Sequence, residues 1–559
     1  MNRNVTYWFV AALTEMLLIQ VVIANSNGTA RGREKRQAIR PFPMTRELSP
    51  GVVVHLGPSG VNAIRLTMAK MITTMLPNLK IRKVFQGRKG RKNILVTDLI
   101  VRTFNPPDDI VIDFRSDSPN QMIISINPFD LTATMNIRTD YRFLKFATFH
   151  LSFNHVSLML GLRFMASQHS IMLLAVGECE FVLKDFRLSY SNLVGSKGPL
   201  KLALPIIRNK LKRFINENFC GMLRNGTELS FNTFIRQFPV FMPIVPNKHY
   251  LPVYRRPRSI GLLGYDHLPT MAEKFVNIAK RLFMDVRMLN NPIVVDDVQG
   301  KHLEATLSGR ILWNRVKGAP FNPNPLPGIA TQSNKMLYIC ISEYVFNSLL
   351  FHLFDHGLFN IKYDGSESKE TRMMLRTSCD DICIGLIVPQ MEKKYPNQHT
   401  VFKMKMIKQP LIELRPYGMI LKIHGIASFV LENRTHYVTL LSGDMIAESK
   451  LHMKLAKDQV YGTAEIIKFS FTPDKSMKLN SLSLDILNDA PRILAEKELN
   501  NLLSKGFKIP HIPIMKLFPN GIMPSMNSLL VEMDFSLNPS LSHMLMQYMR
   551  SYYASPRRI

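Results

Sequence analysis

Residues 177–220 read GECEFVLKDFRLSY, then SNLVGSKGP, then LKLALPIIRNKLKRFINENFC. The first piece has the character of a strand. The last piece places Leu204, Ile207, Leu211, Phe214, Ile215 and Phe219 at the i, i+3, i+4 spacing of a helix with one buried face, over about 201–219. Arg208, Lys210, Lys212 and Arg213 lie mostly on its other side. Cys179 falls in the strand and Cys220 at the predicted end of the helix. If bonded, they tie the helix across a sheet and close a loop of about 40 residues, worth roughly 3–4 kcal/mol. If not, they are two buried thiols. The compartment decides, so the N-terminus is read next.

The chain has 559 residues, 46% of them hydrophobic, enough for two or more packed domains. Residues 5–24 are apolar after Arg3, but Thr14, Glu15 and Gln20 interrupt them. That is too polar for a comfortable membrane span and suits a signal peptide over 1–24. Arg33-Glu34-Lys35-Arg36 reads as a dibasic processing site, making 25–47 a candidate propeptide and lead-in. Secretion makes disulfides reasonable. It also makes Asn225 and Asn433, each in an Asn-x-Thr triplet, acceptors for glycans. The formal charge is +29, and residues 1–36 carry five basic and two acidic side chains, so their removal leaves +26. A secreted chain this basic meets anionic surfaces such as phospholipid, lipopolysaccharide or heparin-like glycans; nothing points to a specific nucleic acid.

Outward from the opening stretch, a strand at 50–56 leads through Gly57-Pro58-Ser59-Gly60, with Ser59 as the expected cap, into a helix. That helix carries Val61, Ile64, Met68, Met71, Ile72 and Met75 as one stripe, and Pro77 stops it. Strands follow: Leu131, Ala133, Met135 and Ile137 alternate with Thr132, Thr134, Asn136 and Arg138. After the Pro-rich segment 321–334 the order repeats: a strand at 336–341, a helix capped by Ser342 and ended by Gly357, then strands to about 486. A second long helix is expected over 490–505, with Pro491 in its first turn, then a closing strand.

In that order the chain resembles the family of bactericidal/permeability-increasing protein, lipopolysaccharide-binding protein and the plasma lipid-transfer proteins. The residues that carry the resemblance begin with Pro50-Gly51-Val52-Val53-Val54, the run Lys80-Ile81-Arg82-Lys83 and Arg142-Phe143-Leu144-Lys145. They continue with Cys179 and Cys220, Gln237-Phe238-Pro239-Val240, the stretch 337–347, and Leu503 to Pro510. The resemblance implies an α+β fold, mostly antiparallel β: two barrels, each with long helices, joined by a central sheet into a boomerang. It implies an N-terminal lipid-binding barrel over 48–245, a central sheet over 246–320, where this chain departs from the family by an insertion at 245–290, and a C-terminal barrel over 335–540. A basic tail would follow over 541–559. It implies the Cys179–Cys220 disulfide and an apolar pocket for acyl chains in each barrel. Cys340, Cys379 and Cys383 have no partner from the family pattern. A local Cys379–Cys383 bridge would leave Cys340 buried and free; pairing of Cys340 with either is the alternative.

The chemistry then divides. Arg82, Lys83, Arg88, Lys89, Arg91 and Lys92 stand within eleven residues without an acid, and Arg138, Arg142 and Lys145 fall at a neighbouring turn. By the resemblance these form a cationic tip that meets head-group phosphates. Each cation near an anionic membrane contributes about 1 kcal/mol, whereas burying about twelve methylenes contributes roughly 10 kcal/mol. The pocket therefore retains the ligand and the tip selects it. Met68, Met71, Ile72 and Met75 on the first helix, and Leu211, Phe214 and Ile215 on the second, are the expected pocket wall. No HExxH, GxSxG, Walker A loop or GxGxxG is present, and His150, His155 and His169 are scattered, so no enzyme, cofactor or metal is expected. The expectation is a secreted protein binding lipopolysaccharide or anionic phospholipid in innate defence. Its rivals are an extracellular phospholipid or neutral-lipid transfer protein and a basic heparin-binding structural protein.

Overall fold

The computed structural model describes residues 49–537, apart from 245–269, 327–333 and several short stretches. The signal peptide, the propeptide, most of the insertion and the basic tail lie outside the described residues. β1 (Val52–Leu56) leads into α1 (Pro58–Met75). Pro58 opens the helix, where its missing N–H costs nothing. Ser59 therefore sits inside α1 rather than capping it, and its hydroxyl donates to Asn334. Then come β2 (Lys80–Lys89), β3 (Lys92–Asn105), β4 (Ile110–Arg115), β5 (Gln121–Tyr141), β6 (Leu144–Ala166) and β7 (Met172–Val194). They form one antiparallel sheet in the order β2-β3-β5-β6-β7, with β4 also on β5. Leu131, Ala133, Met135 and Ile137 are buried, as their alternation predicts.

α2 (Lys197–Ile235) runs back along β7 and is 39 residues long, well past the predicted end at 219. Pro205 lies inside it, and Cys220 is in its middle rather than at its end. Gly221 and Gly226 weaken the sequence signal there. Tertiary bonds extend the helix: the Val176 N–H donates to Glu228 (2.7 Å) and the Leu174 N–H to Asn232 (2.8 Å).

The chain then crosses β8 (Phe241–Pro243), α3 (Thr270–Ala279), β9 (Leu282–Asp285), β10 (Ile293–Asp297), β11 (Gly300–Leu307) and β12 (Ile311–Trp313). β13 (Leu337–Ser342) opens the second half, followed by α4 (Glu343–Asp355). Ser342 caps α4 by accepting from the Tyr344 N–H at 3.2 Å, and Gly357 follows its end at φ +71°. Next are β14 (Ile361–Tyr363), α5 (Lys369–Met374), α6 (Ile384–Ile387), α7 (Pro389–Lys394) and β15 (Val401–Met406). β16 (Leu411–Arg415), β17 (Gly418–Glu432), β18 (Tyr437–Ala456) and β19 (Gln459–Pro473) lead to α8 (Ser481–Lys505). β20 (Phe507–Lys508), β21 (Met515–Ser525) and β22 (Ser528–Leu537) close the described chain. α8 starts a good two turns before the predicted 490, so Pro491 is internal, not in the first turn.

The second large sheet runs β14-β15-β17-β18-β19-β20, with β16 on β17. Apart from β20 this is the pairing diagram of the first sheet repeated. The central sheet, β10-β11-β1-β13-β22-β21, is drawn from both halves and not from 246–320 alone. The architecture is α+β and mostly antiparallel: two rolled sheets, each with a long helix, joined through a shared sheet.

Among the cysteines, Cys179 and Cys220 are bonded, with Cα atoms 5.7 Å apart. Cys383 is also in a disulfide and Cys340 is free and buried, which removes the alternative in which Cys340 pairs with it. Cys379 lies outside the described residues.

Candidate functional site

The first sheet carries the site, and its register determines what meets at one end. Lys89 pairs with Lys92 across the β2–β3 turn, Arg88 with Asn93, and Leu95 with Arg138 on β5. The β5–β6 turn, with Arg142, therefore lies beside the β2–β3 turn, and Lys145 is the second residue of β6. Arg138, Arg142 and Lys145 are all exposed. The two turns are fastened together, since the Asn93 backbone N–H and side-chain amide both donate to Asp140, at 2.9 and 2.8 Å. Arg138 lies over the Phe146 ring, 5.5 Å from its centroid.

Arg82 and Lys83 are not at this end. Lys83 pairs with Thr97, which sets both residues about 20 Å back along β2 at ~3.3 Å per residue. There they lie on an edge strand, where cations also discourage pairing with another chain. Arg91 lies outside the described residues.

β7 finishes at the same end, with Val194 opposite Phe146, and α2 starts at once. Its first turns present Leu202 at 78% and Ile206 at 60% exposure, next to Lys201 and Arg208. Leu200, between them and the link, is fully buried. Sequence reasoning missed this exposed apolar pair because it followed only the buried stripe, although Leu202 and Ile206 lie one helical turn apart and stood outside it.

Inside, the sheet and both helices share one buried cluster. Leu211, Ile215 and Phe219 of α2 belong to it, and Met68 of α1 packs against it. The Phe219 ring stacks on Phe181 at 3.9 Å, two residues from the disulfide. Met71, Ile72 and Met75 fall in α1 and Phe214 in α2 as expected, but their side chains lie outside the described residues. Asn225 sits within α2 rather than in a loop, the usual setting for a glycan acceptor, and Asn433 lies outside the described residues.

The outward face of the same sheet holds a second feature. Arg102, Thr132, Thr134, His150, Ser152 and Arg187 line a groove of about 290 Å³. Arg102 donates to Thr134 at 3.0 Å, and Arg187 to Asp185 at 2.9 Å. The Asn154 amide, then Arg187, hold the Asp185 carboxyl below its usual range. His150 thus joins a polar groove with Arg102 and Arg187, which the linear sequence did not bring together.

Residues 276–537 match the family model described as "LBP / BPI / CETP family, C-terminal domain". The chain is 21% identical over 522 residues to a bactericidal permeability-increasing protein of Rattus norvegicus, covering 89% of this chain and 96% of that one. Residues 276–537 thus carry a C-terminal domain of the LBP / BPI / CETP family. The chain is also 22% identical over 275 residues to the BPI fold-containing family C protein of Homo sapiens, 48% of this chain and 52% of that one. The crystal structure of a lipopolysaccharide binding protein covers 88% of this chain and 100% of its own at 15% identity, with a TM-score of 0.48. The C-terminal domain match and the relatives together support lipid binding as the general activity.

Proposed function

We propose that this chain is a secreted, non-catalytic protein that captures lipopolysaccharide or anionic phospholipid in innate defence. The observation that carries the reading is the composition of one end of the first sheet. The exposed cations Arg138, Arg142 and Lys145, at a turn fastened to the β2–β3 turn, stand beside two exposed apolar side chains, Leu202 and Ile206, on the first turns of α2. That combination suits a phosphate-bearing lipid surface: cations attract it and apolar residues enter it. A heparin-like glycan would use the cations and leave Leu202 and Ile206 without a role. The acyl chains would then enter the apolar interior between the sheet and the helices, where Met68, Leu211 and Ile215 lie.

Two variants test this. Reversing charge at Lys89, Lys92, Arg138 and Arg142 should weaken binding to lipopolysaccharide and anionic vesicles at least tenfold, and more at low salt. Replacing Leu202 and Ile206 by Ser should weaken vesicle binding without changing heparin binding. Mass spectrometry of lipid extracted from the purified chain should find acyl lipid in both. Lipid-free protein, with both variants lowering heparin affinity alone, overturns the reading in favour of a structural glycan binder.

A further inference from the structure

The central sheet holds a polar cluster on one face that the lipid reading does not use. β1 and β11 pair antiparallel with His55 opposite Glu304, and His302 stands two residues along on the same face of β11. His55 Nδ1 lies 3.6 Å from a Glu304 oxygen. The His55 and His302 rings are 5.3 Å apart, tilted by 49°. One donor atom from each of His55, His302 and Glu304 falls within 4.8 Å of the others. The His55 side chain is 9% exposed and that of Glu304 23%, so the group is sheltered but open to solvent on one side.

We propose that His55, His302 and Glu304 bind a divalent transition metal, zinc by their donor chemistry. Two imidazoles and one carboxylate are a tetrahedral zinc donor set with one position left for water. Donors that meet at roughly 2.0–2.2 Å from one ion are within a small closing movement of the observed spread. His302 Nδ1 lies 3.4 Å from the Gly300 carbonyl oxygen, the kind of outer contact that orients a ligating imidazole. Cys340 is excluded from the set: it is opposite Val53, its thiol bonds with Ser528, and burial drives its pKa up, away from the thiolate a metal needs. The site would clip β1 to β11 in the sheet from which both halves extend. Sequence reading saw no metal site because the two histidines are far apart in the chain and only strand pairing joins them.

The full chain, stripped with chelator and dialysed, is titrated with zinc chloride by calorimetry and checked for bound metal by mass spectrometry. One zinc per chain is expected, with a raised thermal midpoint. His302→Gln and Glu304→Gln, at partly exposed positions, should each weaken that binding by at least about 100-fold, since even outer-contact losses cost 10–100-fold. Cobalt chloride added to the unmutated chain should give the visible bands of a tetrahedral ion, removed by zinc; this readout needs no variant to fold. Absence of stoichiometric zinc and of the cobalt bands, or zinc binding in both variants as tight as in the unmutated chain, overturns the proposal.

Discussion

The two halves repeat one pairing diagram but finish it differently. In the first half β2 turns directly into β3, and the turn belongs to the cationic end of the sheet. In the second half β14 and β15 stand in the same places, yet residues 364–400 intervene and build α5, α6 and α7. Ile384 and Met391 from these helices are buried with Leu440, Leu441, Phe471 and Leu487, so helices cap the end that the first half leaves to cations. Charge differs in step: Glu432 at that end of β17 pairs with both Lys362 (2.8 Å) and Lys403 (3.3 Å). The long helices grip their sheets by a common device. Glu228 and Asn232 hold the backbone at Val176 and Leu174; Glu496 and Asn500 hold Ile466 and Ala464 in the same way. Only α2 is also cross-linked to its strand, by Cys179–Cys220. One scaffold therefore serves two ends: a cationic and covalently braced one, and a helix-capped one whose Lys362 and Lys403 share a carboxylate.

The largest expected effect strikes the brace. Replacing Cys179 and Cys220 by Ser frees a loop with a sequence separation of 41, and should cost about 4 kcal/mol in the chain-entropy treatment. Chemical denaturation followed in the first half measures it. A loss confined to the second half would contradict the assignment of the brace. Next come the clamps. Asn500→Leu removes both partners of the Ala464 backbone and should cost about 2 kcal/mol, as should Asn232→Leu for Leu174. Hydrogen exchange should separate the halves: amides of 464–466 open widely, while those of 174–176 stay protected by the remaining cross-link. Equal opening in both would show that the disulfide does not hold α2 on its strand.

The shared diagram was legible where one face of an element is buried and the other wet. The alternation through Leu131–Ile137 and the stripe Leu211–Ile215–Phe219 both survive in the structure, because each buries what its period says. Cap chemistry at Ser342 was legible for the same local reason. What failed is non-local. The extensions of α2 to Ile235 and of α8 back to Ser481 depend on Glu and Asn side chains reaching a strand that no window of sequence contains. The central sheet reaches beyond 246–320 because it joins β10 and β11 to β1, β13, β22 and β21, whose order in space is not their order in the chain. Of the candidate site, the run 88–92 and Arg138, Arg142 and Lys145 stand out in the sequence by charge alone, and the register sets their two turns side by side as one end. The separation of Arg82 and Lys83 from it needed the register.

A smaller effect concerns pH. His352 on α4 is fully buried, and its Nε2–H donates to the Ile311 carbonyl at 3.0 Å. Burial holds its pKa below the ordinary 6.5. A depressed pKa means the unfolded chain takes up the proton first, so this stabilisation is present above pH 6.5 and is lost as pH falls toward the folded value. Glu304 runs the other way: its raised pKa gives stability below the ordinary 4.5 that is lost as pH rises. The informative quantity is therefore the difference between the unmutated chain and His352→Gln, which keeps a donor without titrating. The unmutated chain should lose more of its denaturation midpoint between pH 7.5 and 5.5. Equal losses would remove His352 from the acid response.

The smallest effect tests the charge contrast itself. Glu432→Gln releases Lys362 and Lys403 from their shared carboxylate, whose pKa they hold down, Lys362 first. The pair is exposed, so the denaturation midpoint should hardly move. Binding should move instead. Two cations freed at the capped end create a weak copy of the charged end, and vesicles containing anionic lipid should bind slightly more tightly, by a fewfold at low salt. In a chain that already carries the charge reversals at Lys89, Lys92, Arg138 and Arg142, Glu432→Gln should restore less of the lost affinity than the reversals removed, because it frees two lysines beside one exposed ring, Tyr437, 4.7 Å from the Lys403 Nζ, whereas the reversals change four cations beside Leu202 and Ile206. Full restoration would mean that net charge, and not the pairing of cations with exposed apolar side chains, governs which end of the molecule meets the lipid.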